Sequence, residues 1–566
     1  MKFLKSALFA AASLPSLACA AWGYTDDGSS YVVDTGALLV FAVSKFNGDL
    51  TSIKYNGVVA RQWTSSNTPV RRIRAHTLAQ LMISAPADII QVTVTYGTLV
   101  QTYIARSGHD NIYMLTNKGD GTVCMVVERF DRALDLTYLQ VPALRYVVRL
   151  RPGILQKSLT DSDFYDDAVN YIEASDVTLS KSNGYTKSKH YQGSNSGRTI
   201  DYDYVGKKSS NAGMWLIRSN REKASGGPFF RSLNRGCSPI AEDLYEILYY
   251  NMGTVDPERW GLQGPYVLSL TDGGAPDAAL FARNADWSWM DTLGIKGWVP
   301  ASDRGAVCGV GIKNMKSDYT YVAALSNDAA QYWATADPSS GAFNIVKVLP
   351  GAYTLTIYKG ELGVYTANVT VTAGGKLALN SITPVDPSDA VAIWRIGEWD
   401  GSPAGFTNFD QTPMLPTYMH PSDKRLAPWT PGNYVVGNST AAANFPGYMW
   451  SDINNGHLIY FKLNAAQTAL AHTVRIGITE AYIGGRPQIQ VNGWTSTIPA
   501  ASAQASTRSL TVGTYRGTNH VFEYTVPATA FLAAGEYNIL TINIVSGSAG
   551  TAYLSPGVSF DAIDFL

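Results

Sequence analysis

Between Tyr185 and Tyr191 the chain reads Tyr185-Thr186-Lys187-Ser188-Lys189-His190-Tyr191, setting amines, an imidazole and phenols side by side. Groups of these types take and return protons. A lysine crowded by other cations gives up its own proton more readily, because like charges disfavour its charged form. On composition alone the same run is also what a solvated basic loop contains. A second concentration of phenols lies at Leu248-Tyr249-Tyr250-Asn251-Met252-Gly253-Thr254-Val255, followed by Arg259-Trp260-Gly261-Leu262-Gln263-Gly264-Pro265-Tyr266. More general signatures are missing. The sequence has no Walker loop, no dinucleotide fingerprint, no His-x-x-x-His, no cysteine pairs at zinc spacing and no Gly-x-Ser-x-Gly elbow. With 45 Asp and Glu residues, pairs of carboxylates always occur, so pairs by themselves carry no information about glycosidase chemistry.

The elements that must position these groups are strands. Ile90-Gln91-Val92-Thr93-Val94-Thr95-Tyr96 and Val369-Thr370-Val371-Thr372 alternate as half-buried strands do. Asn47-Gly48, Gly119-Asp120-Gly121 and Asp272-Gly273-Gly274 punctuate them as turns. The best helical stretch is a short one, Asp277 to Arg283. The expected fold class is all-β. The chain is too long for one core. It divides into a large sandwich over 21–292, a small sandwich over 293–383, a linker at Thr383-Pro384-Val385-Asp386-Pro387 and a third block over 388–566.

The first 20 residues read as a secretion signal, with Lys2 and Lys5 ahead of a short apolar run and Ala18-Cys19-Ala20 as the cleavage site. A secreted, extracellular, monomeric protein is expected, with no membrane span. Lys plus Arg (44) balances Asp plus Glu (45), which gives no bulk attraction to nucleic acid or membrane. Beyond the signal Cys124, Cys237 and Cys308 remain, so at most one bridge forms and packing must stabilise the fold. Asn368-Val369-Thr370 and Asn438-Ser439-Thr440 are glycosylation sequons. The 33 tyrosines and 13 tryptophans suit a β protein, and also suit sugar recognition, since a ring face packs on the apolar face of a pyranose.

A series of motifs then narrows the reading. Gly397-Glu398-Trp399-Asp400-Gly401, Met419-His420-Pro421-Ser422-Asp423, Gly484-Gly485-Arg486-Pro487-Gln488, Gly513-Thr514-Tyr515-Arg516-Gly517, Tyr553-Leu554-Ser555-Pro556 and Phe560-Asp561-Ala562-Ile563-Asp564 follow one another in the third block. Asn327-Asp328-Ala329-Ala330-Gln331-Tyr332-Trp333 stands in the second and Gly226-Gly227-Pro228-Phe229-Phe230-Arg231 in the first. In this order they resemble the fungal rhamnogalacturonan lyases of polysaccharide lyase family four. The resemblance implies a large β-sandwich, a fibronectin type III-like domain and a jelly-roll carbohydrate-binding-like domain. It implies β-elimination on a pectic polysaccharide, rhamnogalacturonan I, without a cofactor.

That reaction removes the proton at C5 of a galacturonate and expels the oxygen at C4. A cation must neutralise the carboxylate, a base must reach C5 and an acid must protonate the leaving oxygen. By the resemblance Lys189 takes the place of the catalytic base. Arg145, in Ala143-Leu144-Arg145-Tyr146, and Arg508 match substrate-binding arginines. Tyr249 and Tyr250 match active-site tyrosines. The pattern departs at Thr254, which stands where the family has a catalytic histidine, and at Gln263, where many members have another. A threonine hydroxyl cannot titrate near neutral pH. His190 is the imidazole that could replace it. Glu398, Asp400, Asp561 and Asp564 leave room for a structural calcium in the third block. The rivals are a pectin-binding protein without catalysis and a glycoside hydrolase.

Overall fold

The computed structural model describes residues 21–62, 80–85, 88–119, 143–150, 157–158, 169–173, 177–184, 186–188, 203–218, 220–224, 226–229, 233–238, 241–250, 255–256, 258–282, 285–407, 431–451, 455–504, 518–545 and 557–566. Lys189, His190, Thr254 and Arg508 lie outside these residues, as does the proposed signal.

The expected all-β class is what forms. The first block is organised by an eight-stranded antiparallel sheet, with Gly213–Arg218, Leu262–Thr271 and Asn111–Asn117 at its middle. All six residues of Gly213–Arg218 are buried, because this sheet is covered on both faces. Met214 and Leu216 enter one core with Phe41, Val92, Met114, Val148, Leu244 and Leu248. Their neighbours Trp215 and Ile217 enter a second core on the opposite face, with Tyr113, Val267, Leu280, Met290 and Ile295. Strand side chains alternate between faces, so one strand feeds both cores.

The first core is closed by a five-stranded meander over Gly23–Gln62 and by a three-stranded sheet in the order Ala143–Leu150, Ala241–Tyr250, Leu233–Ser238. The second is closed by the irregular stretches 278–282 and 285–298. Here the expected helix is a single 3-10 turn, Ala278–Leu280, capped by the Asp277 carboxylate accepting from the Ala279 amide. Its apolar residues find a sheet face to cover, which short turns do as well as a helix.

The second block is a seven-strand sandwich of three and four strands between Gly305 and Leu379. The third packs a sheet containing Gly557–Phe565 and His472–Tyr482 against one containing His457–Lys462, Tyr537–Val545 and Arg486–Val491. All nine residues of Gly557–Phe565 are buried. The segment that reads as a linker is pinned in place. Asp386 accepts from Lys359 Nζ at 2.5 and 2.7 Å, and Arg475 and Arg395 donate to the carbonyls of Pro387 (2.8 Å) and Ser388 (3.0 Å). Among the described residues no helix is long and apolar enough to cross a membrane.

Candidate functional site

Three of the elements expected to carry chemistry are described. Ala143–Leu150 carries Arg145, Ala241–Tyr250 carries Tyr249 and Tyr250, and Thr186–Ser188 ends at the residue before Lys189. The first two pair antiparallel, with a bulge that decides which tyrosine accompanies the arginine. Arg145 pairs with Ile247, whereas Leu144 pairs with Tyr249 and Ala143 with Tyr250. Leu248 is therefore the extra residue. Cross-strand partners share a face, and alternation along Ala143–Leu150 puts 143, 145, 147 and 149 on one face and 144, 146 and 148 on the other. Val148 is buried in the first core and Tyr146 packs against it. Tyr250 thus occupies a position on the Arg145 face and Tyr249 one on the core side. Without the bulge the assignment would be reversed, which is what bulges near functional sites accomplish.

Beneath this sheet a buried ion pair fixes its position. Arg218 Nη1 on the eight-stranded sheet lies 2.8 Å from Glu246 Oε1 on Ala241–Tyr250, with the side chains 2% and 0% exposed. Glu246 pairs across the ladder with Tyr146, one residue from Arg145. Two charges removed from water at such a depth hold each other in one geometry, since either alone would be strongly penalised.

Lys118 is a lysine that sequence reading did not single out. Burial pushes its ammonium down to about 8, against the opposing pull of Glu258 at 3.2 Å. A depressed lysine is the kind of group a proton abstraction needs. Lys118 nevertheless is 1% exposed and lies 5.2 Å from the Trp260 ring centroid, so no substrate atom reaches it. Its depression is a consequence of structural burial.

Several motif residues lie at the junction with the second block. Arg259, 1% exposed, donates from Nε to Asn327 O (2.9 Å), from Nη2 to Ser326 Oγ (2.9 Å) and from Nη1 to Ala224 O (2.5 Å). Gln331 accepts from the Gly227 amide (3.0 Å) and donates to Arg221 O (3.1 Å). Gly227–Phe229 forms a 3-10 turn whose Phe229 packs edge-on against Tyr358 at 5.0 Å. Gln263 is 1% exposed, its amide donating to Lys223 O at 3.1 Å, so the place expected to hold a second family histidine is sealed. Tyr266 is buried against Thr116 and Gln101, and burial raises its phenol.

Of the third-block motifs, those at 419–423, 513–517 and 553–556 lie outside the described residues, and the described ones behave alike. Asp564 is held by Arg395 (Nε to Oδ1, 2.5 Å) and by Arg475, and accepts from Trp399 Nε1 at 3.1 Å. Asp561 accepts the amides of Asp400 (3.1 Å) and Gly401 (2.8 Å). Gly401 has φ of +80°, and a Cβ there would lie 2.4 Å from the Glu361 carbonyl carbon, so glycine is required where the blocks touch. Trp399 packs within the core of the second block. Among the described residues no group of three or more His, Cys, Asp or Glu could hold a metal ion. Cys308 is a free cysteine whose thiol donates to Asn344 at 2.9 Å.

Comparison with known proteins agrees along the chain. Residues 22–297 match the model of the N-terminal domain of rhamnogalacturonan lyase B. Residues 303–379 and 392–565 match domains II and III of polysaccharide lyase family 4. Among curated relatives, a probable rhamnogalacturonate lyase A of Aspergillus clavatus is 36% identical, covering 99% of both chains. Rhamnogalacturonate lyase A of Aspergillus aculeatus is 36% identical over 97% of both chains. A putative rhamnogalacturonase of Neurospora crassa is 34% identical, covering 100% of this chain and 98% of its own. Among solved structures, a Paenibacillus xanthan lyase aligns with a TM-score of 0.21 and 11% identity, covering 97% of this chain and 52% of that one, too slight a likeness to build on.

Proposed function

Because this chain belongs to polysaccharide lyase family 4, we propose that it is a secreted rhamnogalacturonan lyase that cleaves rhamnose–galacturonate bonds by β-elimination. The observation that carries the reading is the full-length likeness to rhamnogalacturonate lyases at 36% identity. Arg145 and Arg508 neutralise the galacturonate carboxylate, which makes the C5 proton removable. The neutral amine of Lys189 takes that proton. The C5–H electron pair forms the C4–C5 double bond and the C4–O bond breaks. Tyr250 or His190 returns a proton to the departing oxygen. Tyr250 is preferred to Tyr249 because the bulge sets it on the Arg145 face.

A second reading has one observation in its favour: Thr254 replaces the imidazole that the family places there. On that reading the protein binds the polymer without cutting it. One experiment separates the two. Protein and rhamnogalacturonan I are incubated with chelator, and ultraviolet absorbance of the unsaturated product is followed. The wild type should show a steady rise, and Lys189→Ala should slow it by roughly 10²–10⁴-fold. Retained binding with no rise in the wild type would leave the binding protein as the answer.

A further inference from the structure

The four-stranded sheet of the second block runs in the order Gln331–Thr335, Tyr321–Ser326, Gly351–Lys359, Leu362–Val371. Its last strand is ten residues long and lies at the edge. Near its start the Val364 carbonyl accepts from the Val385 amide at 2.8 Å. From Thr366 onward its only ladder partner among the described residues is Gly351–Lys359. An unpaired edge is a template for another chain, and proteins guard such edges with charges or proline. This strand has neither: it reads Leu362-Gly363-Val364-Tyr365-Thr366-Ala367-Asn368-Val369-Thr370-Val371. Long, uncharged, β-prone segments of this kind stack readily between molecules. In the third block the edge strand His520–Val526 carries an exposed Glu523.

What the strand does carry is the sequon Asn368-Val369-Thr370. Alternation sets Val369 and Val371 into the core with Tyr353 and Leu355, and leaves Thr366, Asn368 and Thr370 exposed on the other face. Thr354, opposite Asn368, and Ala352, opposite Thr370, are exposed as well. Two strands across, on the same face, Ser326 pairs with Thr354 and accepts from Arg259 Nη2 of the first block at 2.9 Å. Asn368 therefore stands clear of that joint by about 10 Å, the spacing of two strands.

We propose that Asn368 carries an N-linked oligosaccharide that guards this edge in place of charge. The proposal rests on the reading that the chain is secreted. Asn368 Nδ2 bonds to the anomeric carbon of an oligosaccharide donated from a lipid diphosphate. The bond from that carbon to the diphosphate oxygen breaks, its electron pair leaves with the diphosphate, and Nδ2 releases a proton to solvent. Thr370 is the hydroxyl residue that the sequon requires. The bulky, solvated product keeps a second strand away by its volume. The other sequon, Asn438-Ser439-Thr440, follows the two-residue strand Tyr434–Val435 in a turn, where there is no long edge to guard.

The full chain is produced in a glycosylating secretory host, once with its own first 20 residues and once with a host signal. Mass spectrometry of the exported chain after endoglycosidase treatment should find an N-acetylhexosamine on Asn368. Asn368→Gln should lose that mass and shift from monomer to larger species in light scattering. Asn368→Lys also lacks the glycan but restores a charge to the edge, so it should stay monomeric. A bare Asn368 in the exported chain, an Asn368→Gln as monomeric as the glycosylated protein, or an Asn368→Lys that associates as Asn368→Gln does would overturn the proposal. Export with the host signal and not with the native one would instead overturn the secretion reading.

Discussion

The junction of the first and second blocks and the sheet bearing Arg145 are built on opposite plans. At the junction each buried charge is answered by named partners: Arg259 by Asn327, Ser326 and Ala224, and Arg304 by Glu222, Val299 and Lys347. On the Arg145 sheet the buried charge, Glu246, lies on the core side, paired with Arg218 of the eight-stranded sheet, and Arg145 and Tyr250 occupy positions on the other face. Motif residues therefore divide into two kinds. Arg259, Gln263, Gln331, Trp399 and Asp561 serve architecture, and Arg145 and Tyr250, on two paired strands, are those we propose for chemistry. The division follows from desolvation: a fully paired buried guanidinium has no donor geometry left for a substrate.

The most forceful way to break the comparison is Glu246→Gln. It keeps the shape and leaves Arg218 buried without its countercharge, so stability should fall by roughly 3–5 kcal/mol, read by urea denaturation. If the loss is below about 1 kcal/mol, the pair does not fix the sheet. Activity per folded molecule should fall as well, because the Arg145 ladder rests on this strand.

Lys118 separates a structurally depressed lysine from a chemical one. Its folded value of about 8 lies below the ordinary 10.5. Between those values the unfolded chain holds a proton that the folded one has released, so stability rises with pH through this window. Relative to Lys118→Met, the wild type should gain roughly 2–3 kcal/mol between pH 8 and pH 10, seen in paired denaturation curves. The pH–activity profile should be the same in both proteins. A shift of its basic limb in Lys118→Met would place Lys118 in the reaction and erase the distinction.

The finest test concerns neighbours. Tyr250→Phe should lower kcat about tenfold or more, and Tyr249→Phe should stay within about twofold with a change in melting temperature instead. The reverse pattern would mean that the bulge at Leu248 does not set the catalytic face.

Periodicity in the sequence was enough for the strand-dominated class, because alternation reports directly on which side of a ladder is buried. It misread one stretch. Asp277–Arg283 has helical composition, yet its described residues form only the 3-10 turn Ala278–Leu280, with Leu280 and Phe281 packed against the sheet. The linker reading around Asp386 was silent on Lys359, Arg395 and Arg475, which hold the segment in place. Those cations are distant in sequence, so no local pattern could announce them. Of the tryptophans at the junction, Trp333 stands in a motif, whereas Trp287 and Trp298 look like ordinary core until two blocks are brought together.

The amino-acid sequence by itself determined the class of fold and the family, and through the resemblance it nominated Lys189, Arg145 and the paired tyrosines for elimination, with Thr254 where the family has a histidine. Those follow from composition, alternation and motif order, which are local properties of the chain. Only the tertiary structure decided that Tyr250 and not Tyr249 shares the Arg145 face, that Lys118 is depressed yet sealed, and that Arg259 and Gln331 clamp two blocks together. Register, burial and countercharge are relations between distant segments, and they acquire values when the chain has packed.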